Sequence, residues 1–384
     1  MTFSMKKYLL LLLSLPFLAS GTPLRDQIGQ LIIVGFEGAE ISSQNPVSKA
    51  ITEQNIGGVI LFDVDVRRAI VGEDGSKIPP PRNITSPEQL RALTQTLQAE
   101  AKTPLFIAAD QEGGRVARLN KRNGFPKTPS HKTLAQESPE TAREVIHASA
   151  AMLKAYGINF NLGPVLDLET PGNFIGAKER CFSKNPETIA EYAGIYIREY
   201  KEEGILCAAK HFPGHGATQG DSHLGLVDGT QTWSPKELDP YKTLISQGIL
   251  EAVLTGHLYL KQLDVAHPAS LSPEILTTLL RKELGFNGLI ITDDLNMGAI
   301  EKEYSLPEAS VQALLAGNDI ILICHSLLEN PKDLEDIISA IEAAVQSGRL
   351  PRKQFDTSYE RVLTAKQKMG LIPSTPKEVS SKHS

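Results

Sequence analysis

The chain has 384 residues, with 39 Lys and Arg against 45 Asp and Glu, which gives a formal net charge of −6. This acidic balance argues against a nucleic-acid-binding surface, and 41% hydrophobic with 22% charged residues excludes collagen, a coiled coil and disorder. Three scattered cysteines, Cys181, Cys207 and Cys324, are too few for a disulfide framework or a zinc cluster. We therefore expect a soluble globular protein that is stabilised by the packing of a large core.

The first residues have the order of a secretory signal. Lys6 and Lys7 precede an apolar run over residues 8–18, and the small residues 19–21 follow it. Roughly eleven apolar residues are fewer than the ~20 that span a bilayer, although an uncleaved anchor is the alternative. We predict a signal peptide over residues 1–20, a periplasmic or extracellular location, and no stable membrane insertion after cleavage.

A short run rich in Val, Ile and Leu recurs along the rest of the chain. Most of these runs are continuously apolar rather than alternating, which is typical of parallel strands that are covered by helices. The eight predicted strands are residues 31–36, 58–62, 104–110, 159–165, 207–212, 252–257, 288–293 and 319–325.

The same helix-start signal recurs between the strands: a capping oxygen, then proline, usually followed by an acid. Strand and helix therefore alternate, which predicts the α/β class and a single (β/α)8 TIM barrel over residues 21–371. An open doubly wound sheet is the alternative, but no G-x-G-x-x-G turn follows the first strand. Residues 372–384 carry no periodicity and are predicted to be a flexible tail. The predicted capping residues are Ser86, Ser138, Asn185, Ser234 and Ser272.

Ionisable residues end five of the predicted strands. In a TIM barrel the active site forms at the carboxyl ends of the strands. Ionisable groups are costly to desolvate unless they are paired or used, so five of them at one rim favour a functional site. They are Asp110, His211, His257, Asp293 and His325.

The densest polar stretch is residues 210–216, Lys-His-Phe-Pro-Gly-His-Gly, which is followed by Asp221 and His223. Acid–base catalysis is one interpretation, since Asp221 could accept a ring N–H of His223 and stabilise the imidazolium. A solvated surface pair is another. A metal site is a third, but the spacing matches neither H-E-x-x-H nor a Cys/His site, and Lys210 would oppose a cation. Four glycines would let the segment swing: Gly214, Gly216, Gly220 and Gly225.

Two consecutive carboxylates, Asp293 and Asp294, end the seventh strand. Adjacent strand residues point to opposite faces, so only one of the two can face a pocket. That carboxylate could attack a sugar, bind a metal or cap the following helix, and the spacing does not choose among these roles.

Taken together, these residues resemble the family 3 glycoside hydrolases, and within them the bacterial β-N-acetylglucosaminidases that trim peptidoglycan fragments. The resemblance runs from about residue 24 to residue 371. It implies a (β/α)8 barrel, a retaining double displacement, and no metal or other cofactor. Members of this family often carry a second α/β domain, but this chain has no room for one after the eighth strand and its helices, so we expect a single-domain enzyme. The motifs that carry it are Asp110-Gln111-Glu112-Gly113-Gly114-Arg115-Val116-Ala117-Arg118, residues 161–167, 210–216 and 221–223, and Thr292-Asp293.

The resemblance also implies roles for individual residues. Asp293 is the expected nucleophile, and His223 is the expected acid/base, oriented by Asp221. His215 and His257 line the pocket or support its loops. The residues expected to bind the terminal sugar are Asp110, Arg118, Arg180, Lys210 and His211.

We therefore expect an exo-β-N-acetylhexosaminidase that removes terminal N-acetylglucosamine from peptidoglycan-derived saccharides. We expect a monomer that binds this saccharide substrate and no nucleic acid. Three alternatives stay open: a family 3 β-glucosidase, a metal-dependent barrel hydrolase that uses four polar side chains, and a saccharide-binding protein without turnover. The four side chains of the metal-dependent alternative are His211, His215, Asp221 and His223.

Overall fold

Eight parallel strands close into a barrel in the computed structural model, which describes residues 21–71, 76–170, 172, 175–218, 225, 227–325, 327 and 330–373. The strands pair in the order β1-β8-β7-β6-β5-β4-β3-β2, and all neighbours are parallel. The predicted single TIM barrel is therefore confirmed. The strands are β1 Ile32–Gly35, β2 Gly58–Leu61, β3 Phe106–Ala109, β4 Phe160–Asn161, β5 Leu206–Phe212, β6 Ala252–Thr255, β7 Leu289–Asp294 and β8 Ile320–Ile323.

Helices surround the barrel, and most of the predicted caps form. The side chains of Ser86, Ser138 and Asn185 each accept a hydrogen bond from a backbone N–H in the first helical turn. The helices are α1 Leu24–Gly29, α2 Pro46–Gln54, α3 Pro87–Glu100, α4 His131–Leu134, α5 Pro139–Ala155, α6 Pro186–Glu202, α7 Asp239–Ser246, α8 Glu274–Glu283, α9 Gly298–Glu301, α10 Leu306–Ala316, α11 Lys332–Gln346 and α12 Arg352–Lys368.

Strand β4 and helix α8 differ locally from the sequence pattern, and strands β3, β6 and β8 are also shorter than predicted. Strand β4 stops at Asn161 rather than at residue 165, because Pro164 has no N–H to donate to a ladder. Val165 then pairs again with β5 through one isolated bridge to Lys210. Helix α8 begins one residue later than expected, yet the Ser272 hydroxyl still accepts the backbone N–H of Ile275 at 3.1 Å.

The last helix closes the amino-terminal end of the barrel. Lys366 of α12 is fully buried there, with its Nζ 2.8 Å from Gln30 Oε1 and 3.0 Å from the Gly57 carbonyl oxygen. Burial lowers the pKa of Lys366 to about 7. In a TIM barrel the active site forms at the opposite end, where the strands finish.

Short pairs of strands lie at the carboxyl-terminal end of the barrel. Residues Ile70–Val71 pair with Lys77–Ile78, Gln111–Gly113 pairs with Val116–Ala117, and Val227–Asp228 pairs with Leu258–Tyr259. All three cysteines are free and buried. Within the residues described above, none of the helices has the length and apolar character needed to cross a membrane.

Candidate active site

The two carboxylates that end β7 have different surroundings. Asp294 is buried, and one of its oxygens accepts the backbone N–H groups of Asn296 at 3.1 Å and of Cys324 at 2.8 Å. Its other oxygen lies 3.2 Å from Nδ1 of His325. Asp293 is only partly buried. Asp294 thus ties β7 to β8, and Asp293 is the carboxylate of the pair that solvent or a ligand can reach.

Asp293 and Asp110 lie near a common neighbour. The Cys324 thiol follows β8, and its pKa is raised by burial and by the charges of Asp294, Asp110 and Asp293. Since β3 and β7 are parallel strands of one closed barrel, their carboxyl ends lie at the same rim. The two strands are far apart in sequence, and barrel closure brings their ends together.

A buried cluster of charges surrounds Asp110. Its Oδ1 lies 2.7 Å from Lys210 Nζ and its Oδ2 lies 2.8 Å from Arg118 Nη2. Burial alone would raise the pKa of Asp110, but the two cations outweigh burial and hold the pKa well below its usual range. Nε of Arg118 is buried and has no hydrogen-bond partner among the residues that the structure describes.

Glu112 is a charged residue of this cluster that our sequence analysis did not select. Nε and Nη2 of Arg180 each lie 2.8 Å from its carboxylate, and Lys210 Nζ lies 2.8 Å from Oε1. Burial opposes ionisation, yet these cations keep the pKa of Glu112 well below its usual range. Its position two residues after Asp110 was the available signal, since residues i and i+2 of an extended segment share a face.

Asp63, which follows β2, is a second charged residue of this cluster that our sequence analysis did not select. It is buried and lies 3.7 Å from Arg118 and 2.6 Å from Arg122, and Asn120 donates to it at 2.9 Å. The Arg118 guanidinium also lies over the Phe62 ring at 4.9 Å. Arg118 is thus held on three sides, which limits the conformations that its side chain can adopt.

His211 lies near the end of β5, His215 follows the strand, and the two histidines share one carboxylate. Asp167 lies 2.6 Å from Nδ1 of His211 and accepts the backbone N–H of His215 at 2.8 Å. Burial lowers the pKa of His215 to about 4, and Thr218 bonds to its Nδ1. His215 is therefore neutral at pH 7 and supports the chain that leaves β5.

His257, at the end of β6, is fully buried. Its Nδ1 lies 2.6 Å from the Ser270 hydroxyl, and its Nε2 lies 2.9 Å from the Asp294 carbonyl oxygen. Of the two expected roles for this histidine, the contacts favour support of the end of β7.

Asp221, His223 and Gly220 lie outside the described residues. The chain on either side is anchored: Thr218 is fully buried, and Val227 pairs with Leu258 after β6. The segment that holds the expected acid/base pair thus starts and ends at the carboxyl ends of β5 and β6.

Gly214 and Gly216 serve close packing rather than hinge motion. Gly214 has a φ of 118°, and a Cβ there would lie 2.3 Å from the Glu237 Cβ atom. A Cβ at Gly216 would lie 2.1 Å from the Leu168 carbonyl oxygen. Both glycines are buried. Because they lack a side chain, the backbone can pack closely against its neighbours.

A group of possible metal ligands lies away from this site. Among the described residues, His147, Glu199 and Glu202 on α5 and α6 form a group whose ligand atoms lie within 4.8 Å of one another. Arg143 lies 3.7 Å from Glu199, and its positive charge would oppose a cation there. At the barrel mouth, Asp167 already engages Nδ1 of His211.

The sequence of this chain is similar to those of known glycoside hydrolases. A family model described as "Glycosyl hydrolase family 3 N terminal domain" matches residues 23–365. A protein of Tolumonas auensis named Beta-hexosaminidase is 35% identical over 302 residues, which cover 77% of this chain and 83% of that protein. A second Beta-hexosaminidase, from Nitrosomonas eutropha, is 34% identical over 309 residues, with 77% and 81% covered.

Solved structures agree with these sequence matches. A family 3 β-N-acetylglucosaminidase from Paenibacillus sp. has a TM-score of 0.81 and 34% identity, and the match covers 94% of this chain and 66% of that longer chain. A β-N-acetylhexosaminidase from Beutenbergia cavernae has a TM-score of 0.77 and 28% identity, with 90% and 98% covered. These matches confirm the resemblance that the motifs predicted.

Proposed function

Because this chain belongs to glycosyl hydrolase family 3 and is a glycoside hydrolase, we propose that it is a retaining exo-β-N-acetylglucosaminidase. Its proposed substrates are peptidoglycan-derived saccharides with a terminal N-acetylglucosamine at the non-reducing end. One observation carries most of the proposal: the partly exposed Asp293 ends β7, and the charged cluster around Asp110 follows β3 at the same rim of the closed parallel barrel. A nucleophile and a sugar-binding cluster at one barrel mouth are what this reaction needs.

In the proposed first step, a carboxylate oxygen of Asp293 attacks the anomeric carbon. The bond from that carbon to the leaving oxygen breaks, and His223 gives its ring proton to the leaving oxygen. Asp221 accepts the other ring N–H and stabilises the imidazolium. In the second step the same imidazole takes a proton from water, and the water oxygen displaces Asp293. Two inversions at one carbon retain its configuration.

The terminal sugar is proposed to bind at the charged cluster. Carboxylate oxygens of Asp110 accept hydrogen bonds from hydroxyl groups, and the nitrogens of Arg118, Arg180 and Lys210 donate them. Nε2 of His211 faces the same cluster through Arg180, 3.4 Å away. Rigid groups that converge on the hydroxyls of one ring suit a terminal residue, which supports exo action.

Export and a monomeric state complete the proposal. The expected signal over residues 1–20 supports a periplasmic or extracellular enzyme, where peptidoglycan fragments are accessible. Mass spectrometry of protein secreted by an expressing cell tests this, and the expected mature chain begins near residue 21. A chain that keeps residues 1–20 would contradict cleavage, and light scattering tests the monomer.

The deciding assay compares aryl β-glycosides as substrates for the wild type and for Asp293→Asn. We expect the wild type to hydrolyse the aryl N-acetylglucosaminide at least about tenfold faster than the aryl glucoside, since discrimination of this size corresponds to one lost polar contact. Analysis of the first-formed anomer by NMR should show retained configuration. The variant should lose turnover and keep its fold.

Other outcomes identify the alternatives. Faster hydrolysis of the glucoside would indicate a β-glucosidase. Loss of activity with a chelator and rescue by zinc would indicate a metal-dependent hydrolase. Measurable sugar binding with no turnover of any substrate would indicate a saccharide-binding protein.

A further inference from the structure

Both ring nitrogens of His211 have fixed partners of opposite character. Nδ1 lies 2.6 Å from the carboxylate of Asp167, which is fully buried. Nε2 lies 3.4 Å from Nη2 of Arg180. The ring itself is buried, so water does not compete strongly with either partner.

These partners specify which nitrogen carries the proton. An ionised carboxylate only accepts hydrogen bonds, so Nδ1 of His211 must donate to Asp167. A guanidinium only donates, so Nε2 faces Arg180 with its lone pair. A doubly protonated ring would direct an N–H at a donor. The arrangement therefore favours the tautomer with hydrogen on Nδ1 and a lone pair on Nε2.

We propose that Asp167 is a positioning residue that holds His211 as the Nδ1–H tautomer, so that Nε2 accepts a hydrogen bond from a hydroxyl of the bound sugar. This inference rests on the proposed function for the identity of the ligand. It adds a neutral acceptor to a site in which Arg118, Arg180 and Lys210 are donors. A sugar hydroxyl is both a donor and an acceptor. In the complex it can donate to the Nε2 lone pair, which faces Arg180 in the free enzyme.

The same carboxylate also positions the chain beyond β5. Its Oδ1 accepts the backbone N–H of His211 at 3.1 Å and that of His215 at 2.8 Å. His215 in turn bonds to Thr218, which is the last described residue before the segment that contains His223. Asp167 thus contacts both His211 and the chain that leads to the segment containing the proposed acid/base residue.

The tautomer can be measured in the unmodified enzyme. Nitrogen-15 NMR of histidine-labelled wild type distinguishes a protonated ring nitrogen from one with a lone pair. We expect Nδ1 of His211 to be the protonated nitrogen near pH 7, and an Nε2–H signal would overturn the proposal. The His211→Ala variant assigns the resonance. This measurement depends on neither the substrate nor the folding of an Asp167 variant.

The variant test uses Asp167→Asn, which keeps the side-chain shape. Its amide oxygen can still accept the two backbone N–H groups, but its NH2 group donates to Nδ1 and forces hydrogen onto Nε2. We expect the KM for the aryl N-acetylglucosaminide to rise about tenfold or more, because two donors then face each other and the acceptor is lost. Asp319→Asn, at the other end of the barrel, is the matched control: Asp319 is a fully buried aspartate that pairs with Arg281 at 2.5 Å.

A double-mutant cycle separates positioning from general stability. If Asp167 acts through His211, Asp167→Asn should add little to the KM increase of His211→Ala. Additive increases, or an unchanged KM in Asp167→Asn, would overturn the proposal. A wild type that hydrolyses no aryl glycoside would instead contradict the proposed function, and the NMR result would still test the tautomer.

Discussion

Arg180 and Glu112 form a two-point ion pair at the mouth of the barrel, with Nε and Nη2 of Arg180 each 2.8 Å from a Glu112 oxygen. Glu112 is 3% exposed and Arg180 9%, so the pair is shielded from solvent. Lys210 approaches the same carboxylate at 2.8 Å. One buried carboxylate thus holds two of the cations that we propose to bind the sugar, and its removal should affect both folding and binding.

Glu112→Gln should therefore lower the free energy of unfolding by about 3 kcal/mol, because breaking a buried ion pair leaves cations without a counter-charge. KM should also rise, since Arg180 and Lys210 lose the group that orients them. Urea unfolding and steady-state kinetics measure the two effects. Glu335→Gln removes an exposed partner of Arg25, 2.5 Å away, and should cost less than about 1 kcal/mol. Equal losses for the two variants would contradict the role of Glu112.

Asp293→Asn and Asp294→Asn should separate chemistry from stability. Asp293→Asn should lower kcat by about 10³-fold or more with little change in stability, because it removes a partly exposed nucleophile. Asp294→Asn should mainly destabilise the fold, since Asp294 is buried and joins β7 to the chain after β8. Kinetics and thermal unfolding of both variants provide the comparison. Full activity in Asp293→Asn would refute its assignment as the nucleophile.

His223→Ala should affect poor leaving groups more than good ones. General acid assistance contributes about 10²- to 10⁴-fold where the leaving oxygen must be protonated, and much less for an activated aryl group. The measurement compares kcat/KM for a saccharide substrate and for a nitrophenyl glycoside. Similar losses for both substrates would show that His223 does not act as the acid in the first step.

Glu237 should make stability depend on pH. It is almost fully buried and accepts the backbone N–H of Leu168 at 3.2 Å, and burial, with the nearby charge of Asp167, raises its pKa to about 8. From about pH 4.5 to about pH 8 the folded protein keeps a proton that the unfolded chain has lost. The contribution of Glu237 to the unfolding free energy should therefore fall as pH rises through this window, by up to about 1.4 kcal/mol per pH unit.

Glu237→Gln tests this directly because glutamine does not titrate. The stability of the variant relative to the wild type should increase from about pH 5 to about pH 8 in urea unfolding experiments. A difference that stays constant with pH would rule out Glu237 as the source.

Local sequence patterns predicted much of the architecture. Continuous apolar runs and Ser-Pro or Asn-Pro helix starts are local signals, and they correctly predicted eight strands, most caps and the closed barrel. The alternation of side chains along a strand also indicated that Asp293 and Asp294 would have different environments, as observed. The family motifs selected Asp110, Arg118, Arg180 and Lys210, which the structure joins through Glu112 and direct ion pairs.

Contacts between distant segments could not be predicted in this way. Asp63, Glu112 and Asp167 are three acids among many in the chain, and each gains its role from cations or N–H groups that other strands supply. The beginning of β4 was predicted, but its early end at Asn161 follows from the missing N–H of Pro164.

The sequence by itself determined the class of fold, the order of its elements and the family to which the chain belongs, because periodicity, caps and motifs depend on residues that are close along the chain. Only the tertiary structure decided which carboxylate is paired with which cation and which histidines serve as supports. Barrel closure brings residues from distant strands to within hydrogen-bonding distance in a buried site, where the charge and the hydrogen-bonding direction of each group depend on its neighbours.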